Sequence, residues 1–396
     1  MSRRNVVALA GFAMSPMVRR PSEPLGITAI RTARAAIADA GLRLADIDGF
    51  VSSSLLPSSG GLAVRDGETV VSSNWLSERM KAGPAFVAGF QGNGQLTGSL
   101  ALAVQAIASG AVRHVLFHRA LHNPPEGSYN DNPMTRAAGD LQYTAPLGFH
   151  GALPAIAMVA NEYAHRYGAR RETLAKIVVE ARRNGARLPW SVWHGKPLAE
   201  EAWLAEPQVC EPLTRLDCDM PVQGCGAFVL TSAERARDMP HRPVLVSGIA
   251  TGNPRQLRLP LHWTLDEFEE SGQALAGRLW AESGLSPSEV DLPQLYDGFS
   301  PFIYLWLEAL GFCPRGEAHR LVAAGGIESD RAGALPVLSG GGVLGNGRLH
   351  GLPQLLEVYL QLSGRAGARQ RRARTGLISY SLPSFGGAAA FSNEAF

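Results

Sequence analysis

The chain has only four cysteines in 396 residues, Cys210, Cys218, Cys225 and Cys313, and none of them forms a CxxC pair. That spacing excludes a zinc knuckle or a dithiol redox turn. A chain of this length builds its core without disulfide staples, so the four read as reduced thiols, which favours the cytoplasm. No uninterrupted apolar run approaches the ~18 residues of a membrane span. Arg3-Arg4 followed by Val6 to Ala13 has the outline of a signal peptide, but the apolar stretch is short and Gly11 interrupts it. A first β-strand is expected there instead. The net charge is only +2, which gives no bulk attraction to nucleic acid or an acidic membrane. No GxGxxG sits between a strand and a helix, and no Walker lysine loop occurs, so nucleotide redox and phosphoryl transfer lack support. Charged residues make up 18% against 45% hydrophobic, the balance of a well-buried globular enzyme.

What is abundant is glycine, 44 residues, as expected of a chain with many tight turns and close backbone approaches. An internal echo organises the rest. Gly41-Leu42-Arg43-Leu44-Ala45-Asp46-Ile47-Asp48 ends a helical pattern and leads into an apolar strand. Gly284-Leu285-Ser286-Pro287-Ser288-Glu289-Val290-Asp291 does the same in the second half. Around the first copy, strands are expected at Asn5 to Phe12, Ala85 to Phe90 and His114 to Phe117. Helices are expected over Leu25 to Ala40, with Ile27, Ile30, Ala33 and Ile37 inward, and over Leu96 to Gly110. Around the second, strands are expected at Pro243 to Ala250, Leu292 to Tyr296, Leu335 to Leu338, Thr375 to Leu382 and Ala388 to Ser392. A capping box at Thr264 opens a helix with Phe268, Leu275 and Leu279 inward; helices also follow Pro301 and Leu352. Alternating strands and helices imply an α/β protein with parallel pairing. The polar stretch Ser232 to Arg242 divides residues 1–238, which carry an insertion around 120–210, from residues 239–396.

Two segments carry chemistry. Tyr296-Asp297-Gly298-Phe299-Ser300 ends a buried strand. Gly340-Gly341-Gly342-Val343-Leu344-Gly345-Asn346-Gly347-Arg348-Leu349-His350-Gly351 is a glycine loop that opens a helix. Such turns can bring a phenol, a carboxylate and an imidazole to one pocket. The pair resembles the active-site blocks of the sterol-carrier-protein type branch of the thiolase superfamily, where a His-Asp-Cys-Phe-Ser block and a Gly-His-Pro block flank a nucleophilic cysteine. The resemblance extends to Ala103 to Gly110 and to Glu211 through Ser232. It implies two duplicated βαβαβαββ halves in a five-layered αβαβα sandwich. Gly345 to Gly351 is most similar to the lipid-transfer-like and steroid side-chain aldolase branch that partners small OB-fold proteins. That branch implies a homodimer with such a partner, as a heterotetramer, with the strands near His114 to Phe117 pairing across the two-fold axis and the stretch Phe86 to Phe117 holding the sheet edge.

Tyrosine stands where that family's histidine would be, and the nucleophile segment Gly89 to Leu96 has neither cysteine nor serine; Asn93 falls nearest the nucleophile's position. A thioester route needs a thiolate at a helix N-terminus, so acyl transfer loses its means. The resemblance implies Tyr296 as catalytic base, a phenol whose ordinary pKa of ~10 neighbours must lower. His350, Asn346 and backbone N–H groups of Gly341 to Gly345 are candidate donors to a thioester enolate. Asn93, His122, Asn123, Gly341, Gly342 and Arg348 are candidate substrate contacts. Asp297 points away from its neighbour and either caps the next helix or orients a loop; Ser300 reads as an N-cap before Pro301. The known aldolases carry a second tyrosine in the glycine segment, and this chain has none there. Arg365 to Arg374 is a solvated face or a surface for an acidic partner. The expected reaction is retro-aldol cleavage of a β-hydroxyacyl-CoA from a sterol-like lipid, with coenzyme A as part of the substrate and no metal or other cofactor. A non-catalytic acyl-CoA-binding scaffold and an acyltransferase are the alternatives.

Overall fold

A computed structural model describes residues 4–53, 65–90, 94–122, 141–149, 151–252 and 264–394. The strands are β1 (Val7–Met14), β2 (Gly49–Ser53), β3 (Phe86–Phe90), β4 (His114–His122), β5 (Gln208–Cys210), β6 (Leu213–Thr214), β7 (Gln223–Ser232), β8 (Val244–Thr251), β9 (Leu292–Gln294), β10 (Thr375–Tyr380) and β11 (Gly387–Ser392). Nine of them join in the order β3-β2-β4-β7-β1-β8-β11-β10-β9, and β5 pairs with β6 separately. The halves meet where β1 runs antiparallel to β8, through Ala8–Leu245 and Leu9–Val244 alone.

The duplication is visible in register and in side chains. In the first half β2 lies parallel to β4, and in the second β9 lies parallel to β10. Gly41 and Gly284 both turn through positive φ, 72° and 70°, and each leads through a short 3₁₀ turn into the strand. The aspartate of each echo then grips the partner strand's start. Asp48 accepts from the Arg113 and His114 N–H groups, and Asp291 from those of Arg374 and Thr375.

Helices α1 (Leu25–Asp39) and α2 (Ser73–Met80) cover the outer face of the first half. The buried face of α1 is Leu25, Ala29, Ala33, Ala36 and Ile37, whereas Ile27 is 48% exposed. Small residues let the helix lie close to the strands, so the aliphatic spacing was a poor guide. Helix α3 (Leu96–Ala108) touches strands of both halves. After it come α4 (Leu141–Thr144), α5 (Ala152–Tyr167), α6 (Thr173–Gly185) and α7 (Glu200–Ala205), all between β4 and β7, then α8 (Ala233–Ala236) and α9 (Leu265–Ser283). Helices α10 (Phe302–Ala309), α11 (Ala318–Ala323) and α12 (Leu352–Leu362) complete the set. Thr264 caps α9 as expected, with Phe268, Leu275 and Leu279 buried. Tyr359 of α12 packs its ring on Phe12 of β1 and Phe228 of β7. Helices α3 and α12 therefore form a middle layer, with the half-sheets and then α1 and α9 outside them: the five-layered arrangement.

One strand expectation is corrected. Leu335 to Leu338 forms no ladder; Pro336 has no N–H to offer, and Val337 accepts from the Leu295 N–H while its own N–H turns back to the Leu335 carbonyl. Strand β4 itself is paired on both sides, by β2 and β7, so that among the described residues the edge within Phe86 to Phe117 is β3. The basic run is also partly consumed: Arg365 pairs with Asp39 and Arg369 with Glu357. Among the described residues no helix is long and apolar enough to cross a membrane.

The inserted helix α6 supports the glycine loop directly. A Cβ on Gly185 would overlap the Gly345 carbonyl, and a Cβ on Gly345 would overlap that of Ala181. Gly185→Ala would ordinarily gain up to ~1 kcal/mol of helix propensity. Here the obstacle is backbone, which cannot swing away, so a net loss of ~1–3 kcal/mol is expected. Urea unfolding checks it; an unchanged or raised midpoint would refute the close approach.

Candidate active site

The site forms where the end of β9, the glycine loop, the end of β10 and the middle of β4 converge. Tyr296 follows β9, and its N–H donates to Ser379 Oγ on β10 at 2.8 Å. Its ring lies 5.4 Å from that of Tyr380 and 6.0 Å from that of Phe302. The phenol curls back over Gly298, where an added Cβ would stand 2.7 Å from the hydroxyl. Only glycine leaves that hydroxyl its place.

Asp297 points to the other side and holds the loop. Its carboxylate accepts from the N–H of Val343 (2.7 Å), the N–H of Leu344 (3.1 Å) and Gln354 Nε2 (2.8 Å). It thus orients a loop and does not cap the helix that follows it. Ser300 is structural too: its hydroxyl donates to Asp217, and Pro301 occupies the cap. Residues 217–220 run beside both blocks, with the Asp219 N–H on the Gly298 carbonyl and the Arg348 N–H on the Met220 carbonyl.

The donors expected from the loop are mostly engaged within the protein. Asn346 is fully buried, and its amide donates to the Gly340 and Gly342 carbonyls, both at 2.7 Å; it is a staple rather than an enolate donor. The Gly341 and Gly345 N–H groups close turns inside the loop, and those of Val343 and Leu344 serve Asp297. Gly341 and Gly342 have φ of 77° and 55°, and a Cβ on Gly342 would overlap the Asp297 carboxylate. Their role is to shape the loop. Arg348 is 1% exposed and makes a buried ion pair with Asp219 at 2.7 Å, so it is not a surface-facing substrate clamp. His122 Nδ1 donates to Gln223 Oε1 at 2.9 Å. Three residues along β4 from Arg119, it projects from the opposite sheet face and lies outside the cluster. Asn93 and Asn123 fall outside the described residues.

His350 does reach the site. It adopts φ of 40°, with Gly347 and Gly351 at 124° and 79° beside it. Its Nδ1 lies 3.0 Å from Nη2 of Arg119. Burial and the Arg119 and Arg348 charges hold the imidazole well below its usual range, so it is neutral.

Two residues here escaped sequence reasoning. Arg119 is 1% exposed within β4, and its Nη1 donates to Ser53 Oγ at 2.8 Å. A lone charge inside a strand paired on both sides was the available signal. Tyr380 is 3% exposed, and its hydroxyl donates to Gln95 Oε1. The chain therefore does place a second phenol beside Tyr296, but from β10 instead of the glycine loop. Gln95 is the N-cap of α3, with φ of 28°; its side chain meets Tyr380 at the site, and a carboxamide is no nucleophile.

No thiol replaces it. All four cysteines are free, and burial pushes every one upward: Cys225 and Cys313 to about 12, Cys218 well above its ordinary value, Cys210 less far. Burial also pushes Tyr296 well above 10, helped by Asp219 and Tyr380, while Arg119 pulls it down. The resting phenol keeps its proton, contrary to the expectation of a lowered pKa. Among the described residues no cluster of three His, Cys, Asp or Glu could hold a metal ion.

Residues 260–390 match the thiolase C-terminal domain-like family. The chain is 34% identical over 340 residues to the 17-hydroxy-3-oxo-4-pregnene-20-carboxyl-CoA lyase of Mycobacterium tuberculosis, covering 83% of this chain and 84% of the relative. It belongs to the thiolase superfamily, in the carbon–carbon lyase branch. The steroid side-chain-cleaving aldolase of Thermomonospora curvata is 32% identical over 365 residues, 90% of each chain. Among solved structures, the Ltp2-ChsH2(DUF35) aldolase superposes with a TM-score of 0.85 at 28% identity over 98% of each chain. The expected fold and the lyase class both stand.

Asp297 gives the site a pH signature. Burial pushes its carboxyl up to about 7, against the pull of the Val343 and Leu344 donors. Its folded pKa exceeds the unfolded value of ~3.9, so its contribution to stability is present at low pH and lost as pH rises through about 7. The urea midpoint should fall across that range in the natural protein and flatten in Asp297→Asn. A slope that survives the substitution would assign the titration elsewhere.

Proposed function

We propose that the enzyme cleaves the Cα–Cβ bond of a β-hydroxyacyl-CoA by a retro-aldol reaction, with a sterol or related lipid side chain as the acyl group. The observation that carries this reading is a pair of phenols with rings 5.4 Å apart in a site whose chain has no ionisable thiol near neutrality. In the reacting state Tyr296 has first passed its own proton to solvent, a loss that the Arg119 charge favours, and the phenolate takes the β-hydroxyl proton as the Cα–Cβ electrons move into the thioester. The resulting enolate oxygen accepts from the neutral His350. Tyr380 is our choice for returning a proton to Cα, which releases a shortened acyl-CoA and a ketone or aldehyde. In the reverse direction the protonated Tyr296 activates the carbonyl. The names of the two lyase relatives support the substrate class. Coenzyme A enters as part of the substrate, and no further cofactor is invoked. The protein's location is proposed as cytoplasmic, on the four free thiols.

Tyr296→Phe should leave thermal stability nearly unchanged and cut turnover of a β-hydroxyacyl-CoA by ~10²–10⁴-fold, read as released ketone or aldehyde. A near-wild-type rate would remove Tyr296 from the chemistry. An acyl-cysteine trapped by mass spectrometry would instead favour the acyltransferase alternative.

For assembly, we propose a homodimer joined through β3, whose outer edge pairs with no strand among the described residues. A small OB-fold partner would close the acyl end of the site. The Ltp2-ChsH2(DUF35) aldolase, with its DUF35 component, supports a partner of that kind. Light scattering should give a dimer for the isolated chain, and a proline at Val87 should convert it to monomer. A fully active monomer would overturn both the dimer and the need for a partner.

A further inference from the structure

We propose that Arg119 is the positioning residue of this lyase site: it locks His350 as the neutral Nε2–H tautomer and keeps an uncompensated positive charge behind the oxygen that turns negative. The proposal rests on the retro-aldol reading for the enolate, but its geometry stands alone. A guanidinium only donates hydrogen bonds. At 3.0 Å from Nη2, His350 Nδ1 is therefore the acceptor. A ring that accepts at Nδ1 while neutral must carry its proton on Nε2. That N–H has no partner among the described residues, and part of the ring remains exposed.

Charge separates Arg119 from most of the enclosed arginines; Arg182 also lacks a carboxylate, but it stacks on the Trp193 ring and donates to the Lys196 carbonyl. Arg348 faces Asp219, Arg365 faces Asp39 and Arg369 faces Glu357. Among the described residues Arg119 bonds the Ser53 hydroxyl and carbonyl, the His350 ring and the Tyr380 hydroxyl, none of them a carboxylate, and its Nε is buried without a partner. A buried cation without a counter-ion is costly. An anion formed during the reaction would offset that cost, and a neutral ground state would not. Such a charge favours the transition state over bound substrate. The charged and titratable groups facing this pair are Arg348 from the glycine loop, Tyr296 and Asp297 from the β9 turn, Tyr380 from β10 and Asp219 from residues 217–220. Asp219 is already paired with Arg348.

The test needs no substrate at first. In protein labelled with ¹⁵N-histidine, the His350 signal (assigned by its loss in His350→Gln) should show a protonated Nε2 and an unprotonated Nδ1. It should not titrate from about pH 5 to about pH 9. A protonated Nδ1, or titration near ~6.5, overturns the proposal whether or not the protein cleaves β-hydroxyacyl-CoA. Arg119→Lys keeps a charge but cannot hold Ser53 and His350 together. It should let His350 exchange tautomers and lower kcat ~10²-fold with KM within a fewfold. Ser53→Ala, a milder change, should give the same effects at smaller size if Arg119→Lys fails to fold. Unchanged ring nitrogens in a folded variant, or a rise in KM without loss of kcat, would make Arg119 a packing or binding residue instead.

Discussion

The site depends on the carboxylate of Asp297. It is fully buried, and its three donors come from the glycine loop and from the first turn of α12. One side chain thus ties the β9 turn, which aims Tyr296, to the loop that ends in His350. Adjacent residues at the strand's end divide the work, because their side chains diverge: the phenol faces the reaction and the carboxylate faces the scaffold. Burial raises the carboxyl's pKa while backbone N–H groups oppose it. The loop's amide groups are consequently committed to shape, which leaves His350 as the donor in the proposed mechanism.

Much of the fold was legible in the sequence because duplication writes its constraints twice. The echo at Asp48 and Asp291 marks two carboxylates that each cap the start of a neighbouring parallel strand, and its glycines fall at the left-handed turns. Apolar periodicity located most strands and the inward face of α9. It failed where packing favoured small residues, as at Ile27 in α1, and where proline removed a donor, as at Pro336.

The site was less legible, for a physical reason. Its blocks were recognisable, and Tyr296, Asp297 and His350 are local to them. Whether a donor is free, however, depends on tertiary partners. Asn346 and Arg348 have suitable chemistry, yet carbonyls and Asp219 occupy them. Arg119 and Tyr380 lie in strands 261 positions apart and meet only because β4 and β10 belong to corresponding places in the two half-sheets. A charge within an apolar strand is the sort of local contradiction that marks a functional position.

The state of the sulfur atoms has a consequence for durability. Peroxide attacks thiolates, and oxidation to sulfenic and then irreversible acids begins there. An acyl-transfer scaffold that depends on a reactive cysteine carries that weakness at its centre. Burial raises every thiol here, and the proposed chemistry rests on oxygen and nitrogen. A reaction that needs no thiolate should persist under oxidative stress that would silence a thiol-dependent relative.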